Sequence, residues 1–224
     1  MKKALLKTGK KYAARFASGS DYAKSTDNIA SGLTSLTIGG FVTREGDGST
    51  YEMALHSATN GNVGQSDFFI GFVTVTNEIV STIGAKLASW TAGKTGVIPT
   101  LDQEYHIAAS WDGSDVRVFV DGVFKVTYAL SSGSFSFYTS GSPTRMGSSN
   151  DGVTYWAKCM NRDMRIYDRA LSDDEVAQWA KEVSISDGGL IAHWDANQPS
   201  GTTLIDLAGN HNMTFYNSAS FVTI

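Results

Sequence analysis

The side chains most able to do chemistry in this chain are carboxylates on turns, loop aromatics, four histidines and one cysteine. Asp112, Asp115, Asp121, Asp151 and Asn150 offer hard oxygen ligands of the kind calcium takes, with Asp112, Asp121 and Asp151 as the metal candidates. The competing reading is that these residues make turns, since Asp-Gly pairs suit tight reversals of the chain. Trp90, Tyr138, Tyr155 and Trp156 are the candidate ligand-binding residues, because exposed rings on loops stack on the apolar faces of sugars.

Hydrolytic and nucleophilic chemistry lacks its parts. Asp163 and Asp168 are five apart, so on a continuous strand they face opposite ways. Asp173-Asp174-Glu175 is accounted for by helix capping. His56, His106, His193 and His211 belong to no triad pattern. His106 reads as a satisfied structural imidazole in mid-strand, and His211 as an exposed residue of the Gly-Asn-His-Asn turn. There is no Gly-x-Ser-x-Gly elbow and no Gly-rich phosphate loop ahead of a helix. Cys159 is the only cysteine, which excludes an intramolecular disulfide and a cysteine-based zinc site. No catalytic residue and no cofactor are expected, calcium being the single candidate ion.

The elements that must position these residues read as strands. Of 224 residues, 23 are Gly and only 3 are Pro, a composition suited to many short strands joined by tight turns. Tyr12 to Phe16, Leu33 to Thr43, Tyr51 to Leu55 and Phe68 to Thr76 alternate as half-buried strands do. Within Asn77 to Gly96, Ile79 to Trp90 fits a strand pair or a loop excursion. Glu104 to Trp111 places Tyr105, Ile107, Ala109 and Trp111 on one face. Val116 to Val120 follows, and Asp121-Gly122 is a two-residue turn that returns the chain through Val123 to Val126. One helix is specified. Ser172 and Glu175 form a capping box, and Leu171 and Val176 occupy the staple positions. Val176, Trp179, Ala180 and Val183 would form an apolar stripe able to lie on a sheet edge.

Charge and hydropathy exclude other classes. The net charge of −4 gives no reason to expect nucleic acid. The basic cluster Lys2, Lys3, Lys7, Lys10 and Lys11 reads as a solvated N-terminal arm over residues 1–11, or as a docking arm for an acidic partner. The apolar run Ala4-Leu5-Leu6 is too short for a signal peptide, and no stretch reaches membrane length. A protein made in the cytoplasm without processing, and without membrane insertion, is the expectation.

Tyr105 to Gly113 followed by Val116 to Gly122 resembles the central hairpins of laminin-G-like domains in the concanavalin A-like superfamily. Arg165 to Glu175 resembles the strand and capped helix that follow in those domains, and Arg15 to Tyr22 their opening strand. The likeness in order and spacing runs from about Tyr12 to Glu182. It implies an all-β, antiparallel two-sheet jelly-roll sandwich with one short capped helix, a single domain over 1–224. Leu190 to Trp194 and Gly201 to Asn212 resemble a unit usually found before the opening strand. Here residues 190–224 either close the sandwich from the other end of the sequence or pair with a neighbouring subunit.

Many laminin-G relatives hold calcium at the sandwich rim. The sandwich glucanases of the superfamily carry a Glu-x-Asp-x-Glu strand, which this sequence lacks, so no enzyme is expected. Such domains are common in bacteriophage structural proteins. The resemblance thus implies a virion surface protein, in capsid decoration or tail-associated adhesion. Its expected partners are other virion proteins, itself as a homo-oligomer, and surface glycans. The alternative is a free carbohydrate-binding lectin module, and the outsider a glycoside hydrolase.

Overall fold

The computed structural model describes residues 11–58, 66–84, 92–130, 137, 143–149 and 155–224. Alternation of apolar and polar residues drives these segments into two antiparallel sheets. One has eight strands: β1 (Tyr12–Phe16), β3 (Leu36–Gly46), β7 (Glu104–Trp111), β8 (Asp115–Val120), β9 (Val123–Ala129), β11 (Lys158–Tyr167), β12 (Leu190–Trp194) and β15 (Ser220–Thr223). Its order is β15-β1-β11-β3-β7-β8-β9, with β12 also paired to β11. The other has seven: β2 (Tyr22–Lys24), β4 (Tyr51–Ala58), β5 (Ser66–Val73), β6 (Glu78–Ile83), β10 (Thr144–Met146), β13 (Thr203–Leu204) and β14 (Met213–Tyr216). Its order is β13-β14-β2-β10-β4-β5-β6. The one helix among the described residues is α1 (Asp173–Ala180). This is the two-sheet sandwich with a capped helix that the resemblance implies.

The core lies between the sheets. Phe68, Ile70 and Phe72 of β5 enter it from one side, and Leu36, Ile38, Ile107 and Trp111 from the other. The open edges of the two sheets are tied at one side by Tyr128 of β9. Its hydroxyl accepts from the Ile83 amide at 2.8 Å and donates to the Ile83 carbonyl at 3.0 Å. Near the β3–β4 turn Arg44 and Glu52 form a buried pair, with side chains 3% and 0% exposed and contacts of 2.6 and 2.9 Å. Arg44 also lies 5.5 Å from the centre of the Phe72 ring and donates to Asn77.

The eight-stranded sheet is covered on its outer face as well, by α1. Ser172 and Glu175 make the capping box, and the Arg169 guanidinium hydrogen-bonded to Glu175 holds that carboxyl down at about 2. Trp179 lies over Gly39, where an added Cβ would come within 2.7 Å of the indole, and the helix packs on Phe41, Ala108, Phe119 and Tyr167. Small residues on central strands thus make the seat. The helix lies toward the β8–β9 edge, with Ala177 and Ala180 against Gly122, and Trp179 reaches inward to Gly39 of β3. Val183 does not extend the apolar stripe, since the helix ends at Ala180 and Val183 is half exposed.

β11 is not the continuous strand assumed for Asp163 and Asp168. Its pairing with β3 shifts register between Arg162 and Arg165, and Asp163 takes φ +48°. This bulge re-aims the Asp163 carboxylate toward the helix. It accepts from Trp179 Nε1 at 3.0 Å and from Arg165 through both oxygens at 2.9 Å, and it meets His193 Nε2 at 2.7 Å. Burial works against ionisation there, but His193 and Arg165 outweigh it and hold the carboxyl at about 2.

The last strands pair within the same chain. β1 flanks the first half of β11 and β12 the second half, with Ala14 opposite Asn161 and Trp194 opposite Met164. β14 pairs with β2, and β15 with β1. Sequence patterning placed β3 from Leu33 to Thr43; it runs from Leu36 to Gly46, because Arg44 and Gly46 continue the ladder to β11.

Glu52→Ala leaves the buried Arg44 charge with only the exposed Asp47 carboxylate as ionic partner, and is expected to lower unfolding stability by about 3 kcal/mol in denaturant titration. Replacing both partners by apolar residues of similar volume is expected to recover most of that loss.

Candidate functional site

The outer face of the seven-stranded sheet carries polar and aromatic side chains where the other sheet carries its helix. Residues paired across strands share a face. One rung reads Thr214, Lys24, Arg145, His56, Phe69 and Thr82 across six strands. It lies outside, because Phe68 and Ile70, the neighbours of Phe69, point into the core. His56 is fully buried within it. Its imidazole is pushed down to about 3, first by burial and then by the Arg145 charge.

Two residues along the same face from Lys24 and Thr214, Tyr22 and Tyr216 stand opposite each other across β2 and β14. Their rings stack at 4.5 Å with planes 9° apart. The Lys24 ammonium lies 5.8 and 5.1 Å from the two ring centres, so it sits alongside the stack instead of capping either ring. The result is a stacked pair in which Tyr22 is buried and Tyr216 partly exposed, with a cation beside it.

Further aromatics gather at the same end of the sandwich. The β1–β2 turn is held by Asp21, fully buried, which accepts from the amides of Ala17, Ser18 and Ser218. These bonds tie it to the β14–β15 turn. Trp156 lies on Gly19 of the β1–β2 turn, where a Cβ would meet the indole at 2.9 Å. Its carbonyl accepts from the Ser49 amide of the β3–β4 turn. Lys158 Nζ is 5.9 Å from the Trp156 ring centre. Tyr155, at φ +52°, stands 5.8 Å from Tyr51 and packs with it on Met53, Phe69, Val73 and Val80. Both Tyr155 and Trp156 are partly exposed. Of the four aromatics named from sequence, Trp156 reaches the β1–β2 turn that leads into Tyr22 and Tyr155 packs over β4, β5 and β6; Trp90 and Tyr138 fall outside the described residues.

The carboxylates named for calcium do not meet. Asp112 and Asp121 flank β8, whose six residues set them on the order of 20 Å apart. Asp112 Oδ1 accepts from the Ser114 amide and hydroxyl, both at 2.8 Å, and from the Asp115 amide at 2.9 Å. These bonds hold its carboxyl below the usual range. Asp121 and Gly122 have φ of +52° and +73°, as a type I′ turn requires, and Asp121 Oδ1 accepts from the His106 amide. Asp151 and Asn150 fall outside the described residues. Among the described residues no three His, Cys, Asp or Glu side chains gather as a metal cluster.

The histidines other than His56 lie elsewhere. His193 is bound to Asp163, and His211 approaches Asp27 at 3.0 Å. His106 is buried as a core imidazole, but it is not satisfied by hydrogen bonds. Neither ring nitrogen has a partner among the described residues, and aromatic contacts to Phe41 and Trp179 replace them. Cys159 is fully buried, and burial raises its thiol well above the ordinary value.

Residues 17–177 match the family model Laminin_G_3, described as the concanavalin A-like lectin/glucanases superfamily. The chain belongs to this family. No curated protein sequence matches this Laminin_G_3 chain. Among solved structures it is similar to a Bacteroides ovatus protein provisionally assigned to carbohydrate binding, at 12% identity and a TM-score of 0.66 over 96% of this chain. The chain spans 60% of the length of that protein. A heptameric SAP-like pentraxin of Limulus polyphemus matches at 14% identity and a TM-score of 0.56, covering 96% of this chain and 92% of the pentraxin. Domain 4 of an extracellular GH43 arabinanase from Geobacillus stearothermophilus, solved with arabinotriose, matches at 18% identity and 0.53, covering 75% and 76%. At these identities the likeness is one of fold.

With the Asp112 oxygen committed to its turn, Asp121 bound to the His106 amide and the two held far apart, millimolar calcium is expected to leave the thermal midpoint unchanged through either residue. A calcium-dependent rise abolished by Asp112→Asn or Asp121→Asn would show otherwise.

Proposed function

We propose that this Laminin_G_3 domain is a non-catalytic, lectin-like module that binds glycans on the outer face of its seven-stranded sheet. The observation that carries this reading is the Tyr22–Tyr216 stack bordered by Lys24. The partly exposed Tyr216 ring, backed by buried Tyr22, offers apolar area for the C–H face of a sugar, while the Lys24 ammonium beside it matches the hydroxyls. Trp156 and Tyr155 extend the surface at the same end. The names of the Bacteroides protein and of the arabinanase domain support the same ligand class.

The carboxylates add no opposing argument. Glu52 is held by Arg44, Glu104 by Arg162, and Asp163 by Arg165, His193 and Trp179. Each is committed to a structural partner, and hydrolysis of glycosides needs a free pair flanking one bond. The setting we propose is the surface of a virus particle, possessed by one copy or by an oligomer; the family resemblance alone supports it. Co-sedimentation with particles tests that setting.

Binding itself is tested on a glycan array followed by calorimetry. Tyr216→Ala and Trp156→Ala are each expected to weaken the best glycan by about tenfold, the scale of one lost ring contact. Unchanged affinity in both variants would remove this face as the site. Release of reducing sugar from any bound glycan would overturn the non-catalytic reading.

A further inference from the structure

His106 is an unusual tenant of the space beneath α1. It projects from β7 on the outer face of the eight-stranded sheet and is 1% exposed. Its ring stands edge-on between Phe41, at 5.0 Å, and Trp179 of the helix, at 4.7 Å. Neither ring nitrogen has a hydrogen-bond partner among the described residues. An imidazole so placed must be neutral, since a charge there would be neither hydrated nor paired. Phe or Leu would fill the same space without that liability.

We propose that His106 makes the docking of α1 acid-sensitive: protonation of this imidazole frees the helix from the sheet while the sandwich stays folded. The groups facing the ring are mixed. β11 contributes Asp163, which favours the proton, and Arg162 and Arg165, which oppose it. Tyr167 of β11 and His193 of β12 lie one layer further out, around Trp179 and Asp163. β3 contributes Phe41 and Gly39, neither titratable. On its own strand Glu104 is held by Arg162, and Asp121 binds the His106 amide, not the ring. From the helix side Glu182 is held by Lys11 and Arg162.

Burial outweighs all of these and pushes the imidazole down to about 3. The docked value therefore lies below the 6.5 of a solvated histidine. Docking is fully stable above pH 6.5 and weakens as pH falls from there toward 3. Between these limits the undocked form gains about tenfold per pH unit, which is about 30-fold at pH 5 relative to neutral pH.

The helix is otherwise fastened by the burial of Val176 and Trp179, by the Asp163–Trp179 hydrogen bond, by buried hydrogen bonds to Leu171 just before it, and by half-exposed ion pairs such as Arg117–Asp173, which contribute little. Asp163 remains ionised through this window, so its anchor does not open first. Release would bare the apolar floor of Phe41, Phe119 and Tyr167.

Hydrogen exchange read by mass spectrometry, corrected for the intrinsic pH dependence, tests this on the full chain. Peptides covering Asp173–Ala180 are expected to lose about 30-fold in protection between pH 7.5 and pH 5, while Phe68–Phe72 of β5 keeps its protection. His106→Phe is expected to abolish the loss. Parallel loss in β5 would mean that acid opens the whole sandwich, with buried His56 as the rival cause, and would overturn a local release. Undiminished acid sensitivity in His106→Phe would overturn it too. Should that variant fold poorly, the ring nitrogen shifts of His106 in the native protein decide: a neutral imidazole down to pH 4 supports the proposal, and titration near 6.5 with the helix docked defeats it.

Discussion

The Asp163 carboxylate is the point on which three parts of the chain converge. It sits at a bulge in β11, the strand that pairs with β1, β3 and β12. Without the bulge, Asp163 would follow the alternation of its strand, and Trp179, Arg165 and His193 would lose their common partner. The bulge also falls where the neighbour of β11 changes from β1 to β12. One local departure from regular pairing thus accommodates a late strand and seats the helix. Its strain is modest and its bonds are several, which is how a positive φ on a non-glycine residue persists.

The two outer faces of the sandwich have been put to different use. The eight-stranded sheet is buried on both sides over part of its width, because Gly39 and Ala108 leave room for the Trp179 indole and the helix then covers Phe41 and Phe119. The seven-stranded sheet carries the cationic and aromatic rung instead, with its partly exposed rings at the end where the β1–β2, β3–β4 and β14–β15 turns converge. The proposed binding surface is on the second face; on the first, Lys11, Thr43, Asp102, Glu104, Met160, Arg162 and Ile224 line a recess clear of the helix. The buried carboxylate of Asp21 serves that end, tying two of its turns through backbone amides that would otherwise lack acceptors.

Much of this was legible in the amino-acid order. The β7–β8–β9 meander follows from period-two alternation and from Asp121-Gly122, whose backbone takes the conformation such a pair favours. The capping box of α1 was readable to the residue. Tyr155 and Trp156 were named as candidates because rings on loops are conspicuous. Tyr22, Lys24 and Tyr216 were not, because β2 and β14 have three and four residues, too few for a period to show. Nothing in the order of residues hints that positions 22 and 216 become neighbours.

Local preference and burial pattern therefore determined the strands, the hairpins, the capped helix and the absence of a carboxylate strand suited to hydrolysis. These depend on contacts between residues close in sequence, which short-range sterics and periodicity dictate. Tertiary structure alone decided that Trp179 of the helix reaches inward to Gly39, that Asp163 turns toward it, that His106 is sealed beneath it without a hydrogen-bond partner among the described residues, and that two distant tyrosines stack. Each of these depends on a residue meeting another far along the chain, and such meetings are set by how the whole core closes.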